Sequence, residues 1–272
     1  WGWALDKLID KTPECSRKGL IAETYPKIAR FHRWWFRYRD LFNDGLPCYM
    51  TGNDSGWDNS TIFDEPWPVQ SPDLTALLIL QAESLASMAG VLDRCDEAAQ
   101  WRKEAEHLLD RFKEVFVRGD TLIYRVLLPM GAAVRTSSSL LTRIPLVLGS
   151  RLPVAVSRRL VQEIGDEKQF LAPSGPASES LASPKYEPNG YWRGPVWGPS
   201  TLLIHDGLVR SGELSLAQII ATRFCDACAR EATFRENYNA LTGEGQDDSG
   251  MTWSGADFLL LAEMLNPTQR ST

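Results

Sequence analysis

A chain of 272 residues with a formal net charge of −6 has room for one sizeable domain, or at most two small ones. Hydrophobic residues make up 43% and charged residues 24%, which supports a packed core and argues against disorder. Acids outnumber bases, Lys and Arg are scattered among them, and no apolar run reaches ~18 residues, so nucleic-acid binding and a membrane span are both disfavoured.

Along the chain the dominant pattern is helical. Residues 25–42 are aromatic-rich and read as a helix. Residues 73–94 carry Leu74, Leu77, Leu78, Leu85, Met88 and Leu92 at the spacing of one helical face, with Ser71 and Pro72 as the start signal. Residues 97–117 repeat the pattern with Trp101, Ala105, Leu108, Leu109, Phe112 and Phe116, so the two segments are expected to pack as an antiparallel hairpin. Residues 121–127 are the one expected strand. Further helical pairs are expected at 137–148 with 153–164 and at 196–211 with 213–233, and a last helix at 253–265. Between them lie three long polar loops at 43–72, 169–195 and 235–251. Loops of this length in a compact domain are functional or disordered, and their dense aromatics and acids favour function. No sequence repeat recurs at a fixed period, so a solenoid has little support. The expected architecture is a ring or bundle of helical hairpins with elaborated loops at one end.

Several chemistries are poorly served. Cys225 and Cys228 form a single CxxC inside an apolar-periodic segment, which reads as a buried, reduced helix pair rather than a zinc or redox site. Five cysteines do not make a dense disulfide framework, and a reducing, cytoplasmic compartment is the expectation. His32, His107 and His205 are far apart in sequence, which disfavours a His-ligated metal or a Ser-His-Asp triad and makes each a structural or surface residue. Nucleotide and hydrolase Gly motifs are absent. The chain starts at Trp1 without Met or a signal peptide, and further residues upstream are expected.

The loops carry what remains. The first reads Met50-Thr51-Gly52-Asn53-Asp54-Ser55-Gly56-Trp57-Asp58-Asn59-Ser60. Trp57 beside Asp58 gives a carboxyl group an apolar wall, as a general acid requires; the same spacing also suits an Asx turn in which Asp58 only caps the loop. Asp54, Asp58, Asp64 and Glu65 make at most a weak oxygen site for a cation, and the spacing is not that of an EF-hand. The second loop reads Tyr191-Trp192-Arg193-Gly194-Pro195-Val196-Trp197, whose indole faces and guanidinium suit a sugar. The alternative is a structural corner in which both tryptophans fill core space. The third loop reads Arg235-Glu236-Asn237-Tyr238-Asn239, followed by Thr242-Gly243-Glu244-Gly245. Glu236 is a candidate base unless it merely pairs with Arg235, and Glu244 competes with it. Two carboxyl groups, one protonated and one ionised, are what glycoside hydrolysis needs.

At these three motifs, with Ser71-Pro72-Asp73-Leu74 and the opening Trp1-Gly2-Trp3-Ala4, the sequence resembles glycoside hydrolase family 63. The likeness is to the branch of mannosylglycerate and glucosylglycerate hydrolases and related α-glucosidases. The resemblance implies an all-α (α/α)6 six-hairpin barrel with the active site in the loops at one end. It implies inversion at the anomeric carbon, with Asp58 as general acid and Glu236 as general base, and with Trp192, Arg193 and Trp197 lining the sugar pocket. Asn53, Asp54, Trp57, Asn59, Tyr191, Tyr238 and Trp253 complete the candidate substrate-binding set. A full ring needs twelve helices and about nine are legible, so the first hairpins are expected to lie upstream of this chain or to be absent. The resulting expectation is one catalytic domain over residues 1–272, or its C-terminal portion, removing α-linked glucose or mannose from small glycosides. No metal or organic cofactor and no nucleic-acid or membrane partner is expected. A lyase or epimerase on the same fold is ranked lower because His is scarce and Arg193 stands alone in its loop. A non-catalytic carbohydrate-binding module is the other alternative.

Overall fold

In a computed structural model, which describes residues 1–265, the apolar stripes become the inward faces of helices. α1 (Gly2–Lys11) leads into α2 (Glu14–Arg39), whose buried residues Ile21, Tyr25, Ala29, His32 and Trp35 recur at helical spacing. This helix starts a good ten residues before the expected position and runs straight through Pro26. Pro26 and Ala22, whose carbonyl loses its partner, both lie on the exposed side, where water satisfies what the proline removes. The 43–72 loop holds the single turn α3 (Gly52–Ser55), a 3-10 turn at Thr61–Phe63 and β1 (Val69–Gln70). α4 (Pro72–Val91) and α5 (Cys95–Phe116) form the expected antiparallel hairpin.

After α5 come β2 (Val117–Arg118), β3 (Thr121–Leu122), β4 (Tyr124–Leu128) and β5 (Gly131–Arg135), where one strand was expected. β4 pairs antiparallel with both β1 and β5, so this small sheet ties the first loop to the chain after α5. The segment expected as a helix at 137–148 is a 3-10 stretch, Leu140–Arg151, with Pro145 inside and a break at Gly149, where φ is 57°. It pairs with α6 (Val154–Ile164). The second loop carries β6 (Leu171–Ala172), β7 (Gly175–Pro176) and a 3-10 turn at Tyr191–Arg193. α7 (Gly198–Arg210) and α8 (Leu214–Arg230) form the next hairpin. The third loop is not structureless: β8 (Arg235–Tyr238) and β9 (Gly245–Ser249) make an antiparallel hairpin. α9 (Thr252–Leu265) packs on α7 and α8.

These are consecutive hairpins of the six-hairpin (α/α)6 fold. α4 is central: it touches α1, α2, α5 and the Leu140–Arg151 segment, and nearly all of its side chains are buried. By length and hydropathy it alone among the described residues would pass for a membrane span, contrary to the sequence expectation, yet 72% of that window is covered by protein. The same covering explains its apolar composition on every side. Cys225 and Cys228 are reduced and buried on α8, as expected. His32 is structural too, held between Glu104 at 2.9 Å and Gln81 at 3.3 Å.

The inner helices begin beside the loops that carry the motifs. Asp73, in the first turn of α4, accepts hydrogen bonds from Tyr49 and Ser71 in the buried floor of the first loop. Burial pushes its carboxyl up to about 6 against those bonds, which pull the other way.

Candidate active site

The first loop folds back on itself. A Cβ at Gly52 would sit 1.9 Å from the Asp58 carbonyl oxygen, and Gly56 has φ 75°, so both positions require glycine. Asp54 accepts from the Met50 amide at 2.7 Å and pairs with Arg39 at 3.4 Å, so it braces the loop. Asn53 and Asp58 are exposed. The expected apolar wall over Asp58 is therefore missing. Trp57 turns away from solvent and packs on Trp192 with ring centroids 4.3 Å apart.

The tryptophans form a column. Trp57 lies on Trp192, Trp192 stacks on Trp197 at 3.9 Å and 8°, and Trp197 meets Trp253 edge-on at 5.8 Å. Trp192 and Trp197 are 4% and 0% exposed, so their faces serve each other and the structural-corner alternative describes them better than a sugar platform. Of these four, Trp253 is exposed, at 40%. Offset and edge contacts of this kind add about 0.5–1.5 kcal/mol per pair beyond area burial. The column joins the first loop, the second loop and the start of α9.

Hydrogen bonds fasten the first loop to the second and the second to β8. The Asn59 side chain donates to the Gly190 carbonyl at 2.9 Å and accepts from the Trp192 amide at 3.0 Å, while Arg193 Nε donates to the Asn59 carbonyl at 2.8 Å. Asn59 is thus a clamp between loops. Arg193 and Lys185 both pair with Asp64, and Arg135 pairs with Glu65. Among the described residues no group of three or more His, Cys, Asp or Glu is placed to hold a metal. Val196 and Tyr238 exchange backbone hydrogen bonds at 2.8 and 3.0 Å, which zips the second loop to β8. Tyr238 itself is fully buried against Phe224, and its hydroxyl accepts from the Arg235 amide at 3.1 Å, so it belongs to the core and not to the substrate surface.

These constraints aim Glu236. Between Arg235 and Asn237 the β8–β9 register slips, leaving Asp247 and Asp248 opposite the single Glu236. Such a bulge turns a side chain out of the pleat. Asp247 takes the left-handed conformation there, φ 54°, and is held by Asn237 Nδ2 at 2.6 Å. Arg235 donates to the Asp247 carbonyl and is not the partner of Glu236. Instead the Tyr191 hydroxyl donates to Glu236 Oε1 at 2.8 Å. Burial raises the Tyr191 phenol far above its usual range, and the Glu236 hydrogen bond and the negative charges of Glu236, Asp58 and Asp247 add to it. One phenol therefore sits in the field of both predicted catalytic carboxylates. Glu244 lies exposed on the hairpin turn. Sequence reasoning missed Asp247, whose only trace was the Asp-Asp pair four residues before Met251. It also missed that Tyr191 faces a carboxylate.

Beneath this surface, Asp257 on α9 is 8% exposed and its Oδ2 lacks a partner among the described residues. It lies against the first residue of α7, where a Cβ on Gly198 would come within 2.5 Å of Oδ2. Burial pushes its carboxyl up to about 7. The folded protein therefore holds a proton that the unfolded chain releases near pH 4, and folding loses up to about 4 kcal/mol as pH rises from there through 7. Asp257→Asn removes this titration. Its melting temperature relative to wild type should climb between pH 4 and pH 8 in thermal unfolding; a difference independent of pH would show that Asp257 is not a buried, proton-holding acid.

The sequence profile described as the mannosylglycerate hydrolase MGH1-like glycoside hydrolase domain matches residues 1–254. A mannosylglycerate hydrolase of Thermus thermophilus is 27% identical over 92% of this chain and 72% of its own length. The mannosylglycerate hydrolase MGH1 of Selaginella moellendorffii is 24% identical over 87% of this chain, which spans 59% of that relative. The crystal structure of the family 63 mannosylglycerate hydrolase from Thermus thermophilus in complex with Tris and D-glycerate superposes with a TM-score of 0.82 at 22% identity, over 96% of this chain and 76% of that one. The ordered motifs, the hairpin fold and a profile match over nearly the whole length agree: the chain belongs to the MGH1-like glycoside hydrolases of family 63.

Proposed function

We propose that this chain carries the catalytic residues of an inverting α-glycosidase acting on a small mannoside or glucoside, with a glycosylglycerate as the leading substrate class. Asp58 donates a proton to the glycosidic oxygen. Glu236, ionised, takes a proton from a water that attacks the anomeric carbon from the opposite face. The C–O bond to the leaving group breaks as the water C–O bond forms, and the sugar is released with inverted configuration. The observation that carries this reading is the clamp between loops: Asn59, the neighbour of Asp58, is bonded to Trp192 and Arg193, and Tyr191 of that same turn bonds Glu236, although the two acids lie 178 residues apart in the chain. Exposed Asn53 and Trp253, 40% exposed, supply a polar and an aromatic contact for a sugar ring. The substrate class rests on what the Thermus and Selaginella relatives are named for.

Proton NMR on the protein with α-mannosides, α-glucosides and glycosylglycerates tests it. The β-anomer should appear first and equilibrate afterwards. Initial release of the α-anomer would replace inversion by retention, for which the two carboxyls stand only ~5–5.5 Å apart.

A further inference from the structure

We infer that Tyr191 is a positioning residue for Glu236, and that the indole of Trp197 locks it in that role; this rests on Glu236 being the base. Tyr191 is an aromatic residue with φ 63°, a left-handed conformation that is unfavourable for a bulky side chain and persists only where the surroundings impose it. The surroundings are visible. Trp197 Nε1 donates to the Tyr191 carbonyl at 3.0 Å, and the Tyr191 ring stands edge-on to Trp197 at 4.8 Å and to Trp192 at 6.4 Å. Trp197 is in turn fully buried at the start of α7.

What the strained conformation yields is one contact, the phenol hydroxyl on Glu236 Oε1. A carboxylate on a short, bulged hairpin has two oxygens and free rotation about its last bond. A donor fixed on one oxygen leaves the other to face the water. Tyr191 touches the base rather than the reacting atoms, so its effect passes through Glu236.

Tyr191→Phe keeps the ring packing and removes only the hydroxyl. It should lower kcat by about 10- to 100-fold with little change in KM, and equally for natural and activated aryl glycosides, because water activation is common to both. In a Glu236→Asp background, where the shortened carboxylate no longer reaches the phenol, adding Tyr191→Phe should cost less than threefold. Trp197→Phe, which keeps a ring but loses the indole donor, should lower kcat in the same direction by a smaller factor. An unchanged kcat in folded Tyr191→Phe, or a full additive loss in the Glu236→Asp background, would overturn the inference. Full activity of Glu236→Gln would instead remove the reading on which it rests.

Discussion

Glu236→Gln is expected to lower turnover by about 10³-fold or more on every α-glycoside tested, activated or not, while sugar binding persists. The size follows from general-base catalysis, which contributes ~10²–10⁴-fold when the base is well placed. Gln keeps the shape of Glu and an oxygen that accepts the Tyr191 hydroxyl, so the 2.8 Å contact and the hairpin geometry survive. What is lost is the ability to take a proton from water. Neither Asp247 nor Asp58 substitutes easily. Asp247 is pinned by Asn237 in the bulge, and Asp58 is assigned to the leaving-group side in the proposed mechanism. Initial rates on natural and aryl glycosides, with calorimetric binding of the product sugar, check this. Appreciable aryl-glycoside hydrolysis by Glu236→Gln would assign the base elsewhere, with Asp247 the first alternative.

The helical scaffold was legible because its signal is periodic. α4 and α5 announce themselves by apolar spacing, and their observed starts, Pro72 and Cys95, lie within two residues of the expected ones. The β8–β9 hairpin was not legible, since Arg-Glu-Asn-Tyr and Gly-Gln-Asp-Asp-Ser lack the alternation that marks a half-buried strand. Its pairing is set by turn geometry and by the Val196–Tyr238 bridge, which are tertiary. The long 3-10 stretch Leu140–Arg151 was read as a helix because its apolar content is the same; Pro145 and left-handed Gly149 are what keep it from an α-helix.

The site shows the same division. That the candidate residues gather in three loops followed from residue type. How each residue is used did not. Indole faces suit a sugar and suit another indole equally well, and sequence does not say which they meet. Trp192 and Trp197 meet each other, Tyr238 meets Phe224, and Asn59 and Arg193 clamp the loops. The conspicuous aromatic motif therefore builds the frame, and the frame aims Tyr191 and Glu236.

Asp58→Asn is the complementary case, and its expected signature is selectivity rather than uniform loss. Turnover of natural glycosides should fall by about 10²–10⁴-fold, because an alkoxide leaves only when protonated. Activated aryl glycosides, whose leaving groups are stable anions, should lose only a few-fold. Asp58 is exposed and Trp57 is buried behind it against Trp192, so the surroundings that make the carboxyl an acid have to come from the substrate. A sugar ring lying across the first loop would cover Asp58 and exclude water from it. Substrates that fill the site only partly should therefore depend less on Asp58 than complete glycosides do. Comparing the Asp58→Asn rate ratio for a full glycosylglycerate with that for a methyl glycoside of the same sugar separates these effects. Equal, near-wild-type rates on both would remove Asp58 from the acid role and return it to capping a turn.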